Sequence, residues 1–436
     1  MLSRRQVYLL AVIVAISLLY IFKLTIPLPQ NFKVVPLSEN SLEDPSSAYS
    51  ITTTHPAKPD PIVLTFVLMG QPAALEGLVS IKSAIMHASR PLDIHLICSE
   101  DSVEIIEPAI TLIRQPYYSL NVIFHVVPLK RVEERLTRAG IGIGKRNWPM
   151  LSKLLMHEIL IDVEKTIFVD TDMIFVVDPA QLWDNFRTFD DNALLALPTL
   201  GPTSHAGEIC TCVMLLNLER MRRPEPNSLL IPSSLIPQYK DILTEALDAA
   251  ERDGIPNMKG RPERASFSRK DAPFGDQGII YALWMHRPAL FPQLSLRWDI
   301  TQCRSSYGLR LGGFLDKDGK PVEDDTAITE QEQLQIHNYN QKAGEGLIVP
   351  GILHFNCQPD AGTNVWEWIE NHDDTLKTWA PMVTTTVRYK WIWLNRGNGS
   401  ANTSIVKHTT IRWLDERIHD SDSEENIIKM TGRRAS

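Results

Sequence analysis

Between Ile62 and Val177 the chain alternates between two hydrophobic rhythms. Ile62–Leu68 is a largely apolar run ending near Gly70, which predicts a buried strand. Residues 73–89 then carry Leu75, Leu78, Ile81 and Ile85 at helical spacing. The pattern repeats, with strands predicted over Leu92–Cys98 and Asn121–Val127 and a helix over Val103–Ile113. Leu151, Leu154, Leu155, Ile159 and Leu160 predict a further helix over Trp148–Leu160. The apolar run Thr166–Val169 follows, then Asp170-Thr171-Asp172, then a second apolar run, Met173–Val177. Strand alternating with helix in short units predicts an α/β fold with a mainly parallel sheet covered on both faces. Ligands of such sheets bind beyond the carboxyl ends of the strands, where the strand order reverses. Asp170 and Asp172 hold that kind of end position.

The second half is less regular. Strands are predicted over Thr211–Leu216 and Ile352–Phe355, and helices over Gln238–Arg252, Asp276–His286 and Trp366–Trp379. Residues 254–274 read as a polar, basic loop, and Gly312–Gly346 shows no period. Trp391, Trp393 and Trp413 give the stretch beyond about Tyr389 a means of packing on the body.

Ahead of this body, Arg4 and Arg5 precede the uncharged apolar stretch Val7–Phe22, and Leu24–Leu28 extends its apolar character beyond Lys23. The pattern predicts a cytoplasmic tail over 1–6 and a signal-anchor transmembrane helix over 7–28, with the arginines cytoplasmic. A cleaved signal peptide is the competing reading, opposed by the length of the run and the lack of a small-x-small site soon after it. Residues 29–61, rich in Pro, Ser and Thr, read as a flexible stem. The catalytic body is expected over 62–390 and a C-terminal extension over 391–436, its end from Asp420 polar and disordered. This is the layout of a single-pass type II Golgi or ER membrane protein with a luminal body. The sequons Asn398-Gly-Ser400 and Asn402-Thr-Ser404 are compatible with it.

Composition narrows the chemistry. With 44 basic against 52 acidic side chains in 436 residues, no basic excess favours nucleic acid as a partner. Five cysteines, Cys98, Cys210, Cys212, Cys303 and Cys357, leave at least one thiol unpaired within the chain. Cys98 reads as a core residue. Cys210-Thr-Cys212 reads as small residues of a buried strand, with a redox or metal pair as the sharper alternative. Two carboxylates one residue apart, Asp170 and Asp172, suit a hard divalent cation, Mg²⁺ or Mn²⁺, that can hold the diphosphate of a nucleotide donor. Acidic pairs also cap turns and helices, so the position after a buried strand is what singles this one out.

Five motifs in one order carry a family likeness: Ser80-Ile-Lys-Ser-Ala-Ile85; Ile167-Phe-Val-Asp-Thr-Asp172 with Asp178-Pro-Ala-Gln-Leu-Trp183; Val213-Met-Leu-Leu-Asn-Leu-Glu-Arg-Met-Arg222; Phe274-Gly-Asp-Gln277; and Ile352-Leu-His-Phe-Asn356. The order resembles the retaining family-8 glycosyltransferases, nearest to the glucoside xylosyltransferases and more distantly to the LARGE-type enzymes. The resemblance covers about residues 62–380 and implies a single Rossmann-like GT-A domain with a mixed, mainly parallel central sheet. It implies metal-dependent transfer, with retention, of a sugar from a UDP-sugar to a hydroxyl of a glycan or glycoprotein in the secretory pathway, and leans toward xylose. On it, Asp170 and Asp172 are Mn²⁺ and ribose–diphosphate contacts, and His354 is the third metal ligand. Asp276 and Gln277 lie near the donor sugar, and Lys153 is a candidate for the donor phosphates. Without the motifs, His354 reads as a satisfied buried histidine, Asp276 as a helix N-cap, Gln277 as an exposed polar residue and Lys153 as a solvated one.

Two departures bear on activity. Where relatives carry Asn-Ser-Gly this chain has Cys210-Thr211-Cys212, and the stretch after His354, Asn356-Cys-Gln-Pro-Asp360, lacks the lysine that meets the diphosphate. Lys342 is another basic group for that role. The departures keep open a catalytically silent Golgi relative that binds glycans or serves as a partner subunit. A metal phosphohydrolase is the other rival, and it needs more ligands converging on two ions.

Overall fold

A computed structural model describes residues 60–142, 148–198, 209–222, 242–255, 267–271, 275–301, 309–310, 313–314, 350–355, 366, 380–413 and 416. The expected anchor 7–28, the Lys342 region, Asn356–Asp360 and most of the predicted helix Trp366–Trp379 lie outside these residues. Among the described residues no helix is long and apolar enough to cross a membrane.

The first strands fall where the apolar runs predict. β1 (Ile62–Leu68), α1 (Gln71–His87), β2 (Leu92–Cys98), α2 (Glu100–Ile110), β3 (Leu120–Val126) and α3 (Leu129–Arg138) follow in order. Next come α4 (Met156–Ile159), β4 (Lys165–Val169), β5 (Met173–Phe175), α5 (Ala180–Trp183), β6 (Leu195–Pro198), β7 (Val213–Asn217), α6 (Leu218–Arg222), α7 (Ile242–Arg252) and α8 (Asp276–His286). β8 (Gln293–Leu294), β9 (Ile300–Thr301), β10 (Leu309–Arg310), β11 (Gly313–Phe314), β12 (Ile352–His354), α9 (Ala380–Arg388) and β13 (Thr403–His408) complete the set.

The main sheet runs β13-β3-β2-β1-β4-β7-β6-β8. β13, β3, β2, β1 and β4 pair in parallel, whereas β7 is antiparallel to both β4 and β6. The sheet is therefore mixed and mainly parallel. From β1 the order proceeds to β2 on one side and to β4 on the other, so the switch point lies between β1 and β4, beside the end of β4 that carries Asp170.

Both faces of β4 and β7 are buried, which explains their near-continuous apolar sequences. Ile167 and Val169 of β4 pack into one core with Val213 and Leu215 of β7, Ile81 of α1 and Ile106 of α2. Phe168, Met214 and Leu216 point the other way, into a core with Ile279, Ile280 and Leu283 of α8. Arg222, buried at the end of α6, donates to the carbonyls of His157, Leu160 and Val163 and so closes the end of α4.

Two predicted elements differ. Trp148–Leu155 winds as a 3₁₀ helix before the short α4, because apolar spacings of three and four serve either winding. β7 begins at Val213, so Cys210, Thr211 and Cys212 precede the strand instead of belonging to it. The chain beyond Tyr389 contributes β13, paired in register along β3's outer edge from Thr403↔Leu120 to His408↔His125.

Candidate active site

A second, small sheet, β5-β12-β9, assembles the site. β12 is antiparallel to β5 with His354 opposite Met173, and parallel to β9 with His354 opposite Thr301. This register sets His354 beside the residue that follows Asp172, and Phe355 N donates to Asp172 O at 3.0 Å. Beneath it Ile174, Leu353, Phe355, Trp366 and Val383 form a separate apolar cluster that holds the small sheet in place. α1 passes close by: a Cβ on Gly77 would lie 2.4 Å from Leu68 Cδ2 and 3.4 Å from Thr171 Cγ2. A side chain there would require the buried Leu68 side chain to shift.

The acidic motif has two carboxylates with different partners. Asp172 Oδ2 lies 3.5 Å from His354 Nε2. The other ring nitrogen, Nδ1, is 2.8 Å from Asp299 Oδ1. His354 is 2% exposed and sits between two carboxylates. Burial pulls its pKa down, but Asp172 and Asp299 outweigh that and hold the ring well above the ordinary histidine range. Burial likewise opposes ionisation of Asp172, and the facing His354 overcomes it, keeping that carboxyl below its ordinary value.

Asp170 is paired instead with Lys153, whose ammonium lies 2.9 Å from Asp170 Oδ1 and 3.4 Å from Asp276 Oδ2. Burial raises the Asp170 carboxyl to about 6, with Lys153 pulling it down and Asp172 pushing it up. Lys153 is not a solvated surface lysine: it is buried, its ammonium also lies 5.0 Å from the Phe168 ring centroid, and the two aspartates hold it firmly protonated. The side chains of Asp170 and Asp172 are each 20% exposed, so both carboxylates reach the surface of an otherwise buried cluster.

The segment before β7 closes the other side. Cys212 O accepts from Asp170 N at 2.8 Å, Thr211 Oγ1 donates to Asp276 Oδ2 at 2.6 Å, and the Gln277 side-chain amide donates to Ile209 O. Gly275, at φ +63°, takes the left-handed turn that starts α8. Asp276 is the first helical residue and spends its carboxylate on Lys153 and Thr211 instead of capping. Cys210 and Cys212 are joined by a disulfide, their Cα atoms 5.3 Å apart, while Cys98 is free and buried, its thiol pushed up to about 12 by burial.

The structure thus brings Asp170, Asp172, Lys153, Asp276, Gln277 and His354 together from distant parts of the chain. A partly exposed carboxylate facing a buried imidazole, beside a second carboxylate, is a donor set that fits a divalent cation such as Mn²⁺. Sequence reading missed Thr211 and Asp299. Asp299 occupies the outer position characteristic of a ligand histidine's carboxylate partner. Lys82, within the Ser80–Ile85 motif, is structural: it donates to the carbonyls of Val387 and Tyr389 and ties α1 to the end of α9.

No family model matches the chain. Over 182 residues it is 28% identical to glucoside xylosyltransferase 2 of Mus musculus, covering 37% of this chain and 38% of the relative. Over 253 residues it is 22% identical to glucoside xylosyltransferase 1 of Gallus gallus, covering 53% and 51% respectively. The chain is similar to the glucoside xylosyltransferases. It spans about half the length, or less, of these xylosyltransferases. Among solved structures, apo mouse xyloside xylosyltransferase 1 aligns over 68% of this chain and 98% of its own, at 15% identity and a TM-score of 0.43. The galactosyltransferase LgtC, in complex with donor and acceptor sugar analogues, aligns over 74% and 95%, at 13% identity and a TM-score of 0.42.

Proposed function

We propose that the chain is a retaining glycosyltransferase that moves a sugar from a UDP-sugar to a hydroxyl of a glycan or glycoprotein. The observation that carries this reading is the paired arrangement at the end of β4. Asp172 faces His354 at 3.5 Å, while Lys153 is shared between Asp170 and Asp276. Asp170, Asp172 and His354 would hold a divalent cation, Mn²⁺ or Mg²⁺. Such an ion supplies positive charge to a leaving diphosphate.

The protein's own groups supply the rest. Lys153 fixes the spacing of Asp170 and Asp276 and contributes positive charge at the same surface. Asp276 and Gln277, at the first turn of α8 and braced by Thr211 and Ile209, position the donor sugar. Asp299 orients the His354 ring. No covalent nucleophile is assigned among these residues, which fits front-face transfer guided by the leaving phosphate. The similarity to glucoside xylosyltransferases supports the reading and favours xylose as the sugar. The apolar stretch Val7–Phe22 supports anchoring in the Golgi or ER membrane, and the two sequons are compatible with a luminal body.

The test is hydrolysis of a panel of UDP-sugars in Mn²⁺ or in EDTA. UDP release from one donor is expected, lost in EDTA and lowered about a hundredfold or more by Asp172→Asn, the scale seen when a charge-stabilising group is removed. A folded protein that binds no UDP would overturn the transferase reading and leave the catalytically silent relative.

A further inference from the structure

The geometry points to a second metal site, built from Cys210, Cys212, Asp299 and His354 in the dithiol form of the protein and selective for Zn²⁺. One ligand atom from each of these four residues lies within 4.8 Å of all the others. They converge from three separate stretches: the turn before β7, the residue before β9, and β12. Cys212 and His354 are buried, whereas Cys210 and Asp299 are only partly so and offer a way in.

The donor types decide which metal. Two thiolates, an imidazole and a carboxylate make up a four-coordinate set of the kind Zn²⁺ takes, and thiolates discriminate against Mn²⁺ and Mg²⁺. His354 Nδ1 and Asp299 Oδ1 are 2.8 Å apart, joined through a proton. Replacing that proton with a metal at Zn–N and Zn–O bonds of about 2.1 Å opens the pair by roughly half an ångström. No element has to move far.

The disulfide gates this site. A dithiol reductant gives two electrons and two protons to the Cys210–Cys212 bond, leaving two thiols and the reductant's own cyclic disulfide. Zn²⁺ then displaces the two thiol protons and the proton on His354 Nδ1, all three passing to buffer. Nε2 is left as an N–H, with no lone pair to offer on the Asp172 side. The zinc site and the donor-cation site therefore compete for one histidine. This competition rests on the function proposed above; the existence of the zinc site does not.

The full chain, reduced with dithiothreitol and freed of it without air, is titrated with Co²⁺ as a spectroscopic probe. About one cobalt ion per chain is expected to show thiolate-to-cobalt charge transfer and visible bands of tetrahedral intensity, both erased by an equivalent of Zn²⁺. The oxidised protein, and Cys210→Ser and Cys212→Ser separately, are expected to show neither. Cys210→Ser alters the more exposed of the two, and circular dichroism verifies its fold. Absent charge transfer in the folded, reduced protein overturns the site, as does charge transfer that survives both substitutions. UDP-sugar turnover is read separately. Stoichiometric Zn²⁺ is expected to lower Mn²⁺-dependent UDP release about tenfold or more in the reduced enzyme and to leave the oxidised enzyme unchanged. Cobalt binding without turnover of any donor would sink the transferase and spare the metal site. Turnover indifferent to zinc in the reduced enzyme would sink the competition.

Discussion

An ammonium group 3% exposed, 2.9 Å from one aspartate and 3.4 Å from another, has exchanged most of its hydration for two carboxylates. Removing Lys153 strands both of them. Lys153→Met is expected to cost about 3–5 kcal/mol in urea denaturation, the scale for breaking a buried ion pair from one side. It is also expected to weaken UDP binding; an unchanged unfolding midpoint would show the lysine to be dispensable. At this scale the sequence made the acidic pair, His354 and the Asp276–Gln277 pair legible through their motifs. It could not reveal Asp299, one acid in an unpatterned stretch, because its role arises only when β9 and β12 pair. Nor could it reveal that the Cys210-Thr-Cys212 stretch bonds to Asp170 and Asp276 and lies within 4.8 Å of His354.

Elements were legible where burial imposes a rhythm. β1 carries apolar side chains on both faces and β2 mainly on one, and both match their apolar runs residue for residue. Trp148–Leu155 was not, since its winding depends on backbone hydrogen bonds that hydrophobic spacing does not encode. Across β2, β3 and β13 three histidines form a ladder, with His95 Nδ1 2.9 Å from His125 Nε2 and the His125 and His408 rings 5.4 Å apart. Burial is the main cause that depresses His95 to about 4 and His125 to about 3, with neighbouring histidines adding to it. Both are therefore neutral when folded, whereas the unfolded chain takes up protons below about 6.5. Their contribution to stability is full above that pH and is lost as the pH falls toward 4 and then 3. Urea titrations between pH 7 and 4 are expected to show stability falling with acid, and the slope to flatten in a His95→Gln/His125→Gln variant. An equal slope in both proteins would contradict this.

For the molecule as a whole, the α/β class and the placement of the acidic motif at a strand end followed from the alternation of strand and helix periods. The outer edge of the sheet did not: Thr403–His408 is half exposed and too weakly patterned to announce a strand, and pairing with β3 is what defines it. Past β13, Ile411 and Trp413 enter the core beside α3, with Trp413 1% exposed and the Arg131 guanidinium 5.7 Å from its ring centroid. Trp413→Ala is expected to cost about 3–5 kcal/mol by urea denaturation, the loss of a large buried aromatic. A change below 1 kcal/mol would mean that the C-terminal stretch is not part of the cooperative unit.

The same edge strand sets an order of events during synthesis. Ser404 donates to Asn121 across a separation of 283 residues, so β3 emerges from the ribosome long before its outer partner has been translated. Throughout that interval one side of β3 offers unpaired amides and carbonyls, a template for any passing extended segment. The nascent chain thus carries an open flank until its own late-made strand closes it.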